Sequence, residues 1–368
     1  MKQVLVTGGC GFIGRYVVRE LTQHGYAVRV LDNLLDQVHG DQTVSLEPGT
    51  ELIKADIRDK SAVLDALDGV DAVVHLAAEV GVGQSMYEIA RYVGVNDLGT
   101  AILLQAMIKR PVRRIVVASS MSVYGEGAYV TPEGRRVGNV RRLSQRLKTG
   151  DWEPLSESGG PLMPAATDES KPVDLASIYA LTKYAQEQSV LLFGEAYSVG
   201  AVALRLFNVF GPGQALSNPY TGVLANFASR LANHQPPIIF EDGEQRRDFV
   251  HVCDVAHAFR LALEQPQAAG HAINVGSGQS YSIKEVALLL ARAMGLPDIH
   301  PDITGKARSG DIRNCFADIA KARELLGFSP EHRLETSLDE FVEWVRSTRS
   351  VDRGPQMKRE LEEMGLVS

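Results

Sequence analysis

Short runs of Val, Ile and Leu alternate with stretches of helical periodicity through the first half of the chain. Val4–Val6, Ala27–Leu31, Glu51–Lys54, Ala72–His75 and Arg114–Ala118 read as strands, most of them apolar without interruption. Between them Gly14–Gln23, the stretch from about Ser61 to Leu67, and Ala90–Lys109 read as helices. Strands with no polar face, each followed by a helix, predict a parallel sheet covered on both sides. The rhythm breaks from Glu126 to about Pro172, a stretch rich in Gly, Pro, Arg and Ser. A structureless connection of that length is uncommon in a folded domain, so it predicts an inserted subdomain or a mobile lid. Helical pattern resumes over Ser177–Phe193, Val202–Phe207 is a further buried strand, and Ile283–Met294 and Ala320–Leu326 are helices among loops. From about Val351 the chain is a charged tail.

The first turn carries chemistry. Thr7-Gly8-Gly9-Cys10-Gly11-Phe12-Ile13-Gly14 directly follows the first strand and opens the first helix. Glycines at 8, 11 and 14 allow a tight turn, close approach of a pyrophosphate, and close helix–strand packing. The helix start then offers free N–H groups and a positive dipole end to phosphates. Asp32 stands 18 residues after Gly14 at the end of the second strand, where a carboxylate hydrogen-bonds ribose hydroxyls and repels a 2′-phosphate. The expectation is NAD, bound on a Rossmann-type doubly wound sheet spanning 1–210. That unit carries the insert 126–172 and a returning segment near 246–276. A smaller C-terminal α/β lobe (211–345) takes substrate, and a tail (346–368) follows. Asp56-Ile57 is a plausible adenine contact, with a helix cap near Asp59 an equal alternative.

Tyr179-Ala-Leu-Thr-Lys183 puts a phenol and an ammonium at i, i+4 on one helix face. A phenol titrates near 10 and is a poor base at neutral pH; nearby positive charge stabilises its anion. Ser119-Ser120 falls at the carboxyl end of the strand 114–118, where open α/β sheets bind ligands. Ser120 is therefore placed to hydrogen-bond a hydroxyl undergoing oxidation.

Composition narrows the field. Of 368 residues 45% are hydrophobic and 23% charged, with a net charge of -7, which fits a globular enzyme and excludes a broad nucleic-acid-binding face. Three cysteines, Cys10, Cys253 and Cys315, form no CxxC pair, so neither a disulfide framework nor a metal site is expected. No apolar run approaches the ~18 residues of a membrane span. The start reads as strand and turn, and the expected location is the cytoplasm.

Several further motifs appear in order: HLAA at 75–78, VN at 95–96, SSxxVYG at 119–125, RLFNVFGPGQ at 205–214, RRDFVHVCDVA at 246–256 and RSGDIR at 308–313. With TGGxGFIG at 7–14 and YxxxK at 179–183, they make the chain resemble the extended short-chain dehydrogenase/reductase family, specifically its sugar-nucleotide epimerases and dehydratases. The likeness runs from about 1 to 345. It implies that Ser120, Tyr179 and Lys183 are catalytic. It implies cofactor contacts from Gly8, Gly11, Phe12, Ile13, Gly14, Asp32, Asn33, Asp56, Ile57, Leu76, Ala77, Ala78, Asn96, Ser119, Tyr179, Lys183 and Phe207. Substrate contacts would come from Ser120, Tyr179, Asn208, Arg247, Arg308 and Asp311, the arginines gripping a diphosphate. Arginine's planar fork suits phosphate oxygens.

Family dehydratases carry an Asp-Glu pair after the catalytic Ser/Thr to protonate a leaving hydroxyl and take the C5 proton. Here Met121 and Ser122 stand there and can do neither. A 4-epimerase needs only reversible hydride transfer through a 4-keto intermediate and one proton acceptor, Tyr179. Within the epimerases the chain is most similar to the dTDP-L-rhamnose 4-epimerase-like and UDP-sugar 4-epimerase-like groups; a ketoreductase or decarboxylase is the alternative, and a non-catalytic NAD binder less so. The rhamnose group's insert has a WEP sequence like Trp152-Glu153-Pro154, but Cys/His pairs suggestive of zinc are missing at 129–134 and 155–160. No metal is expected. His75 and His251 read as structural, Cys10 as a packed thiol, and Arg135-Arg136 and Arg141-Arg142 as a solvated face. The helices 90–109 and 177–193 could pair about a two-fold axis, so a homodimer is expected.

Overall fold

A computed structural model describes residues 3–39, 45–138, 140–214, 216, 222–307 and 311–348. Strands β1 (Gln3–Thr7), β2 (Ala27–Asp32), β3 (Glu51–Lys54), β4 (Ala72–His75), β5 (Arg114–Ser120), β6 (Gly200–Leu206) and β7 (His271–Val275) form one sheet in the order β7-β6-β5-β4-β1-β2-β3. Every neighbouring pair is parallel. The order reverses between β1 and β4, and a crevice opens there at the carboxyl ends of the strands.

Helices cover both faces, as the continuous apolar strands require. On one side α1 (Phe12–Gln23) buries Val17, Val18 and Leu21 against Val255 and Phe259 of a helix at Val252–Glu264. On the other side α2 (Lys60–Ala66), α3 (Gly99–Lys109) and α4 (Ile178–Tyr197) pack Val63, Leu103, Met107, Val190 and Phe193 onto the sheet. Asp59 caps α2 by accepting from Ser61 N and Ala62 N, so the cap reading of that aspartate holds. The helix expected over 90–109 is present but not uniform. It begins at Ile89–Tyr92, passes through a π turn at Val93–Leu98, and continues as α3.

The stretch 126–172 is no structureless loop. It carries a small antiparallel sheet in which Ala128–Val130 pairs with Arg136–Val137 and Met163–Ala165, around a core of Tyr129, Val140 and Leu162. The C-terminal side has its own core, with Leu224, Phe227, Leu290, Phe341 and Val345 from helices Val223–Ala232, Ile283–Ala293 and Leu334–Ser347. Residues 252–275 return to the sheet as the helix beside α1 and as β7. The charged tail from 349 onward lies outside the described residues.

Candidate active site

A cavity follows the crevice between β1 and β4. Gly8, with φ of 71°, bends the chain so closely over the β4 end that a Cβ would lie 2.8 Å from Ala77 N. At Gly14 a Cβ would come within 2.2 Å of Gly8 O, so α1 can approach the loop only with glycine there. No side chain caps α1, and its first N–H groups face the cavity beside Gly11. Asp32 accepts from Cys10 N and Leu34 N at 2.9 Å each, and its carboxylate lies 3.7 Å from His39 Nε2. Burial opposes the charge on Asp32, but these partners outweigh it and hold the carboxyl below its ordinary range. The result is a glycine-floored, helix-capped groove ending in an ionised carboxylate. It fits a dinucleotide pyrophosphate and an adenosine ribose.

Ser120, Tyr179 and Lys183 line the far end of the same cavity. Ser177 caps α4 by accepting from Ala180 N, and Ser85 Oγ accepts from Tyr179 N at 3.0 Å, which fixes the start of the helix that carries both catalytic candidates. Desolvation pushes the Tyr179 phenol up, opposed by a hydrogen bond with Ser120. Lys183 is 3% exposed, and burial pushes its ammonium down to about 7 against the pull of Glu187. Its Nζ donates to Gln186 Oε1 at 2.6 Å.

The cavity gathers Gly8, Gly11, Phe12, Ile13, Gly14, Asp32, Asn33, Asp56, Ile57, Leu76, Ala77, Ala78, Ser119, Ser120, Tyr179, Lys183 and Phe207 on one wall system. Asn96 is a correction. It is fully buried in the π turn and off the cavity, where Oδ1 accepts from Glu79 N and Nδ2 donates to Glu79 O and Thr182 Oγ1. Its role is to hold the cavity loop at Glu79 against α4. Ser119 lines the cavity but donates to Glu187 Oε2 at 2.6 Å, inside an ion pair between Glu187 and Arg205. His39, Gln37, Glu79 and Gln214 also line the cavity, the first two from a short helix at Asp36–His39 and Gln214 from the end of the 205–214 motif.

The substrate-side residues lie beyond this wall. Asn208 Nδ2 donates to Asp248 O. Arg247 donates to the carbonyls of Arg246, Ile312 and Arg313, so its guanidinium holds the 311–313 segment. Arg308 lies outside the described residues. Asp311 accepts at its carbonyl from Arg142 Nη2. Arg142 corrects the expected solvated face: its side chain is 5% exposed and reaches Glu126 at 3.0 Å and Glu241 at 2.5 Å. Arg313, 2% exposed, binds the same Glu241 and also Glu153 and Asp242. Thus the insert is locked to the substrate side through buried charges.

The cysteines behave as packed thiols where buried, Cys10 being pushed up to about 12 by desolvation. His251, Cys253 and His332 bring potential metal-ligand atoms within 4.8 Å of one another, a grouping the sequence spacing did not suggest. Each histidine already has its Nδ1 engaged. His251 Nδ1 caps the following helix at Cys253 N while Nε2 lies 2.8 Å from Glu340, and His332 Nδ1 pairs with Asp254 at 2.8 Å.

A doubly wound sheet with a glycine-floored groove leading to a Ser-Tyr-Lys set defines a dinucleotide-dependent enzyme. The model of the NAD dependent epimerase/dehydratase family matches residues 4–144 and 156–276. The chain belongs to that family, and NAD is its cofactor. It is 37% identical over 352 residues to a dTDP-L-rhamnose 4-epimerase from Burkholderia thailandensis, covering 94% of this chain and 95% of that one. A UDP-glucose 4-epimerase from Mycolicibacterium smegmatis is 32% identical, covering 94% and 99%. Among solved structures, a UDP-glucose 4-epimerase from Thermotoga maritima with UDP-glucose superposes with a TM-score of 0.76 at 30% identity, covering 94% of this chain and 99% of that one.

Proposed function

We propose that this protein is an NAD-dependent 4-epimerase of a nucleoside-diphosphate sugar, with dTDP-L-rhamnose and UDP-hexoses or UDP-uronic acids as the candidate substrates. The observation that carries the reading is the Ser120–Tyr179 hydroxyl pair at the cavity wall, beside positions 121 and 122 that hold no acid or base. NAD, when bound, supplies a reversible two-electron acceptor for the C4–H bond of the sugar. Ser120 donates to or accepts from the sugar O4, orienting it toward Tyr179. Tyr179 takes the O4 proton and returns it after the sugar has turned over, so the protein ends in its starting protonation state. Lys183 supplies positive charge that favours the phenolate against the desolvation around it. Met121 is a buried thioether and Ser122 hydrogen-bonds Ser120, so neither takes the C5 proton that elimination of a 6-hydroxyl demands. Arg247, Arg308 and Asn208 are read as the diphosphate side and Asp311 as orienting a ribose hydroxyl or Arg308, with residues 211–345 as the substrate lobe.

The test is incubation of purified protein with dTDP-L-rhamnose and UDP-sugars without added cofactor, following C4 by NMR. Inversion without net NADH formation, lost at least about a thousandfold in Tyr179→Phe, is expected. Turnover only after NADH or NADPH is supplied would reassign the protein as a ketoreductase.

The same reading includes a homodimer in the cytoplasm. Ile89 (47% exposed), Leu98 (53%), Leu181 (47%) and Leu192 (63%) leave apolar side chains uncovered on the 89–109 helical run and on α4, which pack side by side. Two copies of such a pair make a four-helix bundle. Light scattering at micromolar concentration should give twice the chain mass, and Leu98→Glu/Leu192→Glu should halve it. Among the described residues no helix is long and apolar enough to cross a membrane.

A further inference from the structure

Lys183 sits in a place where an ammonium is costly. It is 3% exposed. The neighbouring carboxylate, Glu187, is committed to Arg205 at 2.6 and 2.9 Å and to Ser119 at 2.6 Å. What meets Nζ is neutral: the side-chain oxygen of Gln186, itself 1% exposed, three residues on in α4.

An amide can present either end, and here a chain of hydrogen bonds selects one. Thr100 donates its single hydroxyl proton to Asn96 O at 2.6 Å, so its oxygen can only accept from others. His75 Nε2, 2.9 Å from that oxygen, must therefore be the protonated nitrogen, and His75 Nδ1 accepts from the Thr7 hydroxyl at 2.7 Å. Gln186 also lies 2.8 Å from the Thr100 oxygen and must turn its N–H toward it, while its 3.3 Å approach to His75 Nε2, a donor in this tautomer, is a contact and not a hydrogen bond. The carbonyl end is thereby left facing Lys183. A neutral His75 agrees with this polarity, since burial and the Lys183 charge push it down to about 3.

We infer that Gln186 is a positioning residue for Lys183, its carbonyl oxygen holding the ammonium at the cavity wall, and that Thr7, His75 and Thr100 fix the carbonyl end of the amide toward it. The inference rests on the reading of Tyr179 and Lys183 as the catalytic pair. Accepting a hydrogen bond from the charged form favours that form. Losing the acceptor therefore lowers the Lys183 pKa further and removes the ammonium first at high pH. The titratable groups around Lys183 are Tyr179 and Glu187 on its own helix and His75 on β4; Arg205 of β6 is reached through Glu187.

The experiment uses the full chain labelled with [13Cε]lysine, the Lys183 signal being the one absent from Lys183→Met. In Gln186→Leu the Lys183 titration midpoint should fall by about one unit, a tenfold change in the protonated fraction above it. In the same variant kcat should fall more than KM changes, with the deficit growing as pH rises from 6 to 9. Gln186→Glu, a carboxylate in the same place, should move the midpoint above the wild-type value. An unmoved midpoint in Gln186→Leu, or a loss of kcat equal at every pH, would overturn the positioning role. A shifted midpoint in Gln186→Leu together with full turnover by Lys183→Met would uphold the contact while overturning the catalytic reading on which it was placed.

Discussion

The cofactor side and the substrate side of the cleft are built from different materials. The cofactor side is mostly backbone: glycines at 8, 11 and 14, the uncapped start of α1, and the ends of β1, β2, β4 and β5. Its glycine turn, the start of α1 and Asp32 belong to one β-α-β unit, and the turn owes its shape to the lack of Cβ atoms. The substrate side is held by charged side chains that meet across the chain. Arg142 reaches Glu241 over 99 residues, and Arg313 reaches Glu153 over 160. A steric groove accepts one kind of ligand and tolerates almost no substitution. A charge-locked frame ties distant positions to one another, so that a change at one leaves a buried partner uncompensated.

That contrast can be broken at each side. The largest effect is expected at Gly14→Val, where even the first added carbon would stand 2.2 Å from a backbone oxygen. The variant should no longer retain NAD on purification, and absorbance of the released cofactor checks it. Near-normal NAD content would show that the loop can shift and the groove is less rigid than its contacts imply. Next comes Arg142→Met, which strands Glu126 beside a Glu241 that is wholly buried. Removing one member of a buried charge network costs about 3–5 kcal/mol. A lower denaturant midpoint with unchanged NAD content is expected, and a fall in both would mean that the two sides are coupled.

The smallest effect concerns His75. Its folded-state pKa, near 3, lies below the unfolded value, so the unfolded chain binds more protons across the acid range. Stability should therefore fall as pH drops below about 6.5, by roughly 1 kcal/mol over the first unit. Asp248, pushed up to about 6 by burial, works in the opposite direction. It is common to both proteins, so the slope of wild type minus His75→Gln isolates the histidine. Parallel pH curves for the two would refute the assignment.

How much could be read from the chain follows the same division. The groove was legible because its requirements are local: TGGxGFIG, then Asp32 at a fixed interval. Ser120, Tyr179 and Lys183 were legible because strand end and helix face fix their directions. Arg142 was not, since an arginine in a polar stretch looks the same whether it faces water or two carboxylates brought in from elsewhere. The insert's strands, two or three residues each, are too short to show a period of two. Asn96 enters as a cofactor contact through the resemblance at VN 95–96, and the periodicity over 90–109, which reads as one helix, hides the π turn that draws it inside. Gln186 carried no signal either; its meaning depends on Thr100 and His75, which other elements supply.

The π turn at Val93–Leu98 has a consequence for how this region can change over time. Such a segment accommodates one residue more than an α turn, and one residue corresponds to about 100° of rotation. The sequence pattern is thus offset by one residue across the turn, while the two surfaces keep their directions. Its first part sets Tyr92 edge-on to Tyr179 at 6.5 Å, while its second part presents Leu103 and Met107 to the sheet. A one-residue deletion there would let the rod close as a regular α-helix with both surfaces still facing their partners, whereas a second deletion would rotate one of them by about 100°. What this stretch keeps is the direction of its two surfaces, and the one extra residue is the part it can lose.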